Sequence, residues 1–144
     1  MRIVAKKRTV VVGVDGSPNS MAALRRGAAE AERREARLDV VQVVPASSGW
    51  TVLGNARHWL HLRSLVSAAL PTAQHITTRL RIAHGEPAAA LTKAARGAEL
   101  LVVGAREHSE QGRPLGGSTV PAVISGSPCE VVVCADQTSP APGG

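Results

Sequence analysis

Apolar side chains recur along this chain in two rhythms, one of short β-branched runs and one at helical spacing. Thr9 to Val14 (TVVVGV) is almost unbroken and closes on Asp15-Gly16-Ser17-Pro18, the pattern of a strand buried on both faces followed by a turn. Ser17 before Pro18 predicts a helix start, because Ser caps orphan N–H groups and Pro at the first helical position loses no hydrogen bond. Met21, Leu24, Ala28 and Ala31 then form one apolar stripe, predicting a helix to about Ala36. Leu38 to Val44 reads as a second strand. Pro45 opens a loop ending near Asn55, and a helix from about Ala56 to Leu70 follows, stopped by Pro71. From Gln74 to Ala83, Ile76, Thr78, Leu80 and Ile82 alternate with polar neighbours, so this strand has one wet face and lies at or near a sheet edge. Pro87 starts a short Ala-rich helix to about Ala95. Leu100 to Val103 is a fourth strand, Ser118 to Ser125 a short helix and Cys129 to Cys134 a fifth strand, before a Pro/Gly/Ser-rich tail from Ala135 to Gly144.

Strand and helix thus alternate five times, which predicts an α/β fold: right-handed crossovers and a five-stranded parallel, doubly wound sheet with helices on both faces. In such sheets ligands sit outside the carboxyl ends of the strands, where strand order reverses. Two loops fall at that end, one carrying Asp15 and the other running from Gly104 to Thr119.

Composition narrows the picture. A chain of 144 residues, 44% hydrophobic, is sized for one domain, and with Trp50 and Trp59 as its only aromatic residues the core is aliphatic. The expected limits are a core over about 6–134 and a flexible end over 135–144. The net charge of +6 is spread over Arg2, Lys6, Lys7 and Arg8 and a helix that carries Glu30, Glu32 and Glu35 beside its arginines. Glu30 and Arg34 stand in the favourable order for a helical ion pair, and with no aromatic stacking platform a solvated face is the better reading than a nucleic-acid surface. Cys129 and Cys134, five apart in a strand, point to opposite faces about 16 Å apart and do not bridge, which favours a reducing compartment. No stretch approaches the roughly 20 apolar residues of a membrane span. The basic start runs into only Thr9 to Val12 before Gly13, so cytoplasmic residence is expected.

The candidate chemistry lies in the second loop, Gly104-Ala105-Arg106-Glu107 through Arg113 to Gly116-Gly117-Ser118-Thr119. Its glycines allow close backbone approach, Ser118 and Thr119 offer hydroxyls, and the N–H groups of the following helix present partial positive charge to an anion. Pro121 falls in the first turn of that helix, where its missing N–H is not needed. His58 and His61, three apart on a helix, have no Cys or carboxylate at ligand spacing, and His75, His84 and His108 are scattered; no metal site is expected. No nucleophile elbow, Cys/His spacing or P-loop ending is present.

The start VVVGVDGSPNS, the stretch GEPAAALTKAARGAELLVVGA, the Gly117-Ser118 pair and SPCEVVV resemble the universal stress protein family in order and spacing over about Lys6 to Cys134. ATP-binding members carry Gly, two residues, Gly, nine residues, Gly, then Ser or Thr. Gly104, Gly117 and Ser118 match, while Glu107 stands at the second glycine position and adds bulk and negative charge that Arg106 and Arg113 offset. The resemblance implies strand order 3-2-1-4-5, a Rossmann-like sheet of the adenine-nucleotide hydrolase type, and a homodimer through the last strand. It also implies ATP or AMP, with or without Mg²⁺, held by Val14, Asp15, Val43, Gly104, Ala105, Gly117, Ser118 and Thr119, with Arg106, Glu107 and Arg113 as modulators. The function implied is nucleotide-linked regulation in stress response, with slow hydrolysis at most. Two alternatives remain open at this stage: a nucleotide-free dimeric interaction module of the same fold, and an ATP-consuming enzyme of a related superfamily, whose glycine-rich loop would be expected after the first strand. Residue by residue, Asp15 is also explained as a turn residue, Val43 as plain core, and Gly104 and Gly117 as backbone relief.

Overall fold

The computed structural model describes residues 8–15, 17–44, 52–71, 78–105 and 115–134, with residues 52 and 115–119 by backbone path alone. The elements are β1 (Thr9–Val14), α1 (Pro18–Arg33), β2 (Arg37–Val44), α2 (Val52–Ala69), β3 (Thr78–His84), α3 (Pro87–Ala94), β4 (Leu100–Gly104), α4 (Leu115–Gly126) and β5 (Glu130–Cys134). The strands form one sheet in the order β3-β2-β1-β4-β5, every neighbouring pair parallel. The predicted order and the edge position of β3 are both realised.

Period-two geometry sends alternate side chains of each central strand into two separate cores. Val10, Val12 and Val14 of β1 pack with Leu24 and Ala28 of α1 and Leu62 and Val66 of α2 on one face. Val11, Val41, Leu101 and Val103 pack with Leu91 of α3 and Val123 of α4 on the other. That is why β1 is apolar without alternation: Val10, Val11 and Val12 are all fully buried, each contributing about 1.5–3 kcal/mol. Cys129 joins the second core and Cys134 borders the first, so the two free thiols lie on opposite faces, as the spacing predicts.

Local chemistry sets the element ends. Ser17 caps α1 by accepting from the Ser20 N–H at 3.2 Å, with Pro18 at the first helical position. Glu86 caps α3, its carboxylate accepting from the Ala88 and Ala89 N–H groups at 3.2 and 2.8 Å. Helix α1 stops at Arg33, short of Ala36, and Glu35 takes a positive φ of 53° in the turn to β2. Two helices start earlier than their sequence signals. Helix α2 begins at Val52 rather than near Ala56, because Gly54 and Asn55, although turn-like, cost a helix only about 1 kcal/mol each or less. Helix α4 begins at Leu115 rather than Ser118, so Pro121 stands inside the helix and not in its first turn. Its ring leaves the carbonyl four residues back without the usual donor. Residues 74–77 of the expected third strand and the tail from Ala135 lie outside the described residues.

Candidate functional site: a cleft at the carboxyl ends of the strands

Between β2 and β4 the chain leaves β1 with neighbours on both sides that continue in opposite directions through the sheet, and a cavity of about 370 Å³ opens there. Its floor is the carboxyl ends of three strands: Gly13, Val14 and Asp15 from β1, Val41 and Val43 from β2, Val103 and Gly104 from β4. One wall is the start of α3 with Gly85, Pro87 and Leu91. Val120 and Val123 of α4 and Ser20 of α1 complete the lining. The described lining is apolar except for Asp15, Ser20 and exposed backbone, which suits a flat, weakly polar ring system approached by a few directed hydrogen bonds.

Asp15 is held by a closed set of bonds at the α1 start. Its Oδ1 accepts from the Ser17 N–H at 2.9 Å, and its own N–H donates to Ser20 Oγ at 3.2 Å. Ser20, only 4% exposed, donates that hydroxyl to the Ser17 carbonyl at 3.0 Å. The turn role is therefore real, and it leaves the carboxylate solvent-exposed at the cleft rather than buried in the loop.

Gly104 has a structural reason of its own. A Cβ there would lie 2.5 Å from the Asn19 carbonyl carbon and 2.6 Å from the Ser20 nitrogen, so the first turn of α1 rests directly on the end of β4. Asn19 reinforces the contact, its Nδ2 donating to the Ala105 carbonyl. The Ala105 N–H donates to the Cys134 carbonyl at 2.7 Å, so both backbone groups of Ala105 have protein partners and its main chain is committed to the sheet end.

Of the residues singled out from sequence, the cavity brings together Val14, Asp15, Val43 and Gly104. Gly117, Ser118 and Thr119 sit by backbone in the first turns of α4, whose later residues Val120 and Val123 line the cavity. Arg106, Glu107 and Arg113 lie outside the described residues. Sequence reading missed the rest of the lining: Gly13, Val41 and Val103 on the strands, Gly85, Pro87 and Leu91 at α3, and Ser20, Val120 and Val123 on α1 and α4. Leu91 was recoverable from helical spacing, since α3 starts at the same end of the sheet and places its fifth residue over the strand ends.

Other groups carry little chemistry. The described residues hold no cluster of three or more His, Cys, Asp or Glu, with His58 half-buried and His61 exposed on α2. Burial pushes the Cys134 thiol up, only partly countered by the charge of Arg26, so it stays protonated. No described helix is long and apolar enough to cross a membrane.

The sequence model of the universal stress protein family matches residues 7–135. A universal stress protein of Mycolicibacterium smegmatis is 32% identical over 137 residues, which cover 86% of this chain and 47% of the relative, so the chain spans about half the length of the curated relative it matches. Among solved structures, a universal stress protein in complex with cAMP superposes with a TM-score of 0.69 at 24% identity, over 92% of this chain and 100% of that one. The universal stress protein of Archaeoglobus fulgidus in complex with dAMP does so with a TM-score of 0.65 at 19% identity, over 90% and 99%. At these identities the superpositions establish a common fold.

Proposed function

This chain belongs to the universal stress protein family, and on that premise we propose that its cleft holds an adenine nucleotide whose occupancy, rather than its turnover, carries the protein's activity in stress response. The observation that carries this is the cavity itself. At about 370 Å³ it lies within the range of roughly 300–1,000 Å³ for small-molecule sites, at the strand end where such folds bind ligands, with apolar walls and one carboxylate at its mouth. Two related structures hold cAMP and dAMP, which share adenine, a pentose and a phosphate.

In this reading Val41, Val43 and Leu91 sandwich the base, and the fixed carboxylate of Asp15 accepts from the ribose hydroxyls. The phosphates extend toward the start of α4, where Gly117 lies in the first turn with its N–H still unpaired within the helix, and Ser118 and Thr119 supply hydroxyls. Arg106 and Arg113 add positive charge there, against Glu107. ATP and AMP are the expected ligands, with Mg²⁺ held through the phosphates where ATP is bound. A ligand that binds only the folded state stabilises it by an amount that grows with the logarithm of its concentration over Kd, which is enough to signal without chemistry. The working unit is a cytoplasmic homodimer of single domains joined through β5.

The test is calorimetric titration of ATP and AMP, with Mg²⁺, into protein freed of co-purified nucleotide. Binding of about micromolar strength that disappears in Gly117→Val and in Val43→Trp is the expected result. A flat titration on protein that also carries no nucleotide through purification would sink the reading and favour the nucleotide-free interaction module.

A further inference from the structure

Charge is distributed unevenly along this chain. Between Val40 and Gly85 there is no Asp or Glu, while Arg57, Arg63, Arg79 and Arg81 all fall in that interval. Helix α2 lies at its centre and presents an outer face unlike that of a solvated helix. Leu62, Val66 and Leu70 turn inward to the core. Leu53, nine residues before Leu62 and so about half a turn round the axis, is 75% exposed, and Leu60, two turns further along the same line, is 58% exposed. Arg57 flanks this apolar line on one side. On the other, Trp59 is 39% exposed, with the Arg63 guanidinium 5.8 Å from the centre of its ring. The sequence reading, which treated the basic surplus as a solvated face, did not separate this helix from α1.

We propose that the outer face of α2 docks on an anionic lipid surface. Leu53 and Leu60 enter the acyl boundary, Trp59 sits at headgroup depth, and Arg57 and Arg63 meet the lipid phosphates. The pairing of two outward leucines with flanking cations and no carboxylate is what such an interface requires, and the arginine stems reach past the apolar line while keeping their heads in water. Helix α1, on the same face of the sheet, extends the positive field with exposed Arg25, Arg26 and Arg33, of which Arg26 and Arg33 share Glu30 and only Glu32 adds an exposed carboxylate to the helix. Cations on both sides of one outward leucine line, with Trp59 beside it, match the layering of lipid phosphate over acyl chain, which favours a lipid surface over a peptide as the occupant. The association is at the surface, since α2 is not apolar enough to cross a bilayer. It is independent of what the cleft binds.

The experiment is co-sedimentation of the full chain with vesicles of phosphatidylcholine alone and of phosphatidylcholine mixed equally with phosphatidylglycerol. It is paired with the emission of Trp59 in a Trp50→Phe background. Expected are pelleting with the anionic vesicles at least about tenfold stronger than with the neutral ones, weakening as salt rises, and a blue shift of Trp59. The double variant Leu53→Ser, Leu60→Ser, with unchanged far-ultraviolet circular dichroism, loses roughly tenfold or more of that partitioning. Absence of pelleting with anionic vesicles overturns the proposal. So does equal pelleting by the serine variant, which would reduce the effect to the general attraction of a positively charged protein. Capture by an acidic helical peptide without any vesicle binding also overturns it, and assigns the face to a protein partner.

Discussion

At the scale of single residues, Gly104 separates two explanations that the sequence alone leaves joined. The family pattern assigns it to phosphate approach, yet the backbone of Asn19 and Ser20 already occupies the space a Cβ would need. Because those atoms belong to a capped helix start and not to a flexible side-chain tip, they have nowhere to move cheaply. Gly104→Ala is therefore expected to destabilise the nucleotide-free protein by about 1–3 kcal/mol, read as a fall in the thermal midpoint without ligand. A glycine needed only for phosphate would leave that midpoint unchanged and lower only the shift produced by added ATP. The same comparison shows what was legible in the site. Val14, Asp15, Val43 and Gly104 stand at strand ends, and strand ends are marked locally by where β-branched runs stop. Ser20, Val120 and Val123 reach the cavity only because α1 and α4 fold back over those ends, a relation between distant segments that no local pattern encodes.

At the scale of elements, α1 is tied down by Glu30. The spacing to Arg34 is legible as one helical pair, at 3.1 Å, but the carboxylate also takes Arg33 at 2.5 Å and Arg26 at 3.4 Å. Arg34 then reaches Glu99 at 2.9 Å and Glu130 at 3.8 Å, linking the last turns of α1 to the amino ends of β4 and β5. The second half of this network crosses three elements, so it follows from sheet order and not from helical spacing. The Arg33 hydrogen bond, against some desolvation and with help from Arg34 and Arg26, lowers the Glu30 carboxyl from 4.5 to about 2. A carboxylate depressed in the folded state stabilises it above the unfolded value and ceases to as pH falls through the folded one. The difference in thermal midpoint between the wild type and Glu30→Gln is therefore expected to be full above pH 4.5 and to shrink toward nothing by about pH 2. A difference that stays constant over that range would show that Glu30 acts by packing and not by charge. The strands themselves were legible to within a few residues because buried β-branched runs have few alternatives. The starts of α2 and α4 were not, since Gly54, Asn55, Gly116 and Gly117 carry loop chemistry that helix packing overrides.

At the scale of the whole molecule the two sheet edges differ, and the difference bears on assembly. The β3 edge carries Arg79 and Arg81, charges of the kind that discourage strand-to-strand pairing. The β5 edge is Glu130 followed by three valines and Cys134, with Val133 39% exposed. In a strand each residue turns its N–H and C=O to the same side, and sides alternate along the chain. The Cys134 carbonyl accepts from Ala105 beyond β4, so Glu130, Val132 and Cys134 face β4, while Val131 and Val133 direct their backbone groups to the open edge. Proline is tolerated at such an outward-facing position because it removes a donor the sheet does not use. Val133→Pro should therefore keep the fold and the β4–β5 pairing while deleting one donor that a second β5 would need. If the proposed homodimer forms through this edge, light scattering coupled to size exclusion will give a dimer for the wild type and a monomer for Val133→Pro, with matching far-ultraviolet circular dichroism. A variant that remains dimeric would place the contact on a surface other than the β5 edge, and Arg79→Val with Arg81→Val on β3 would then test whether the sheet continues from its other edge.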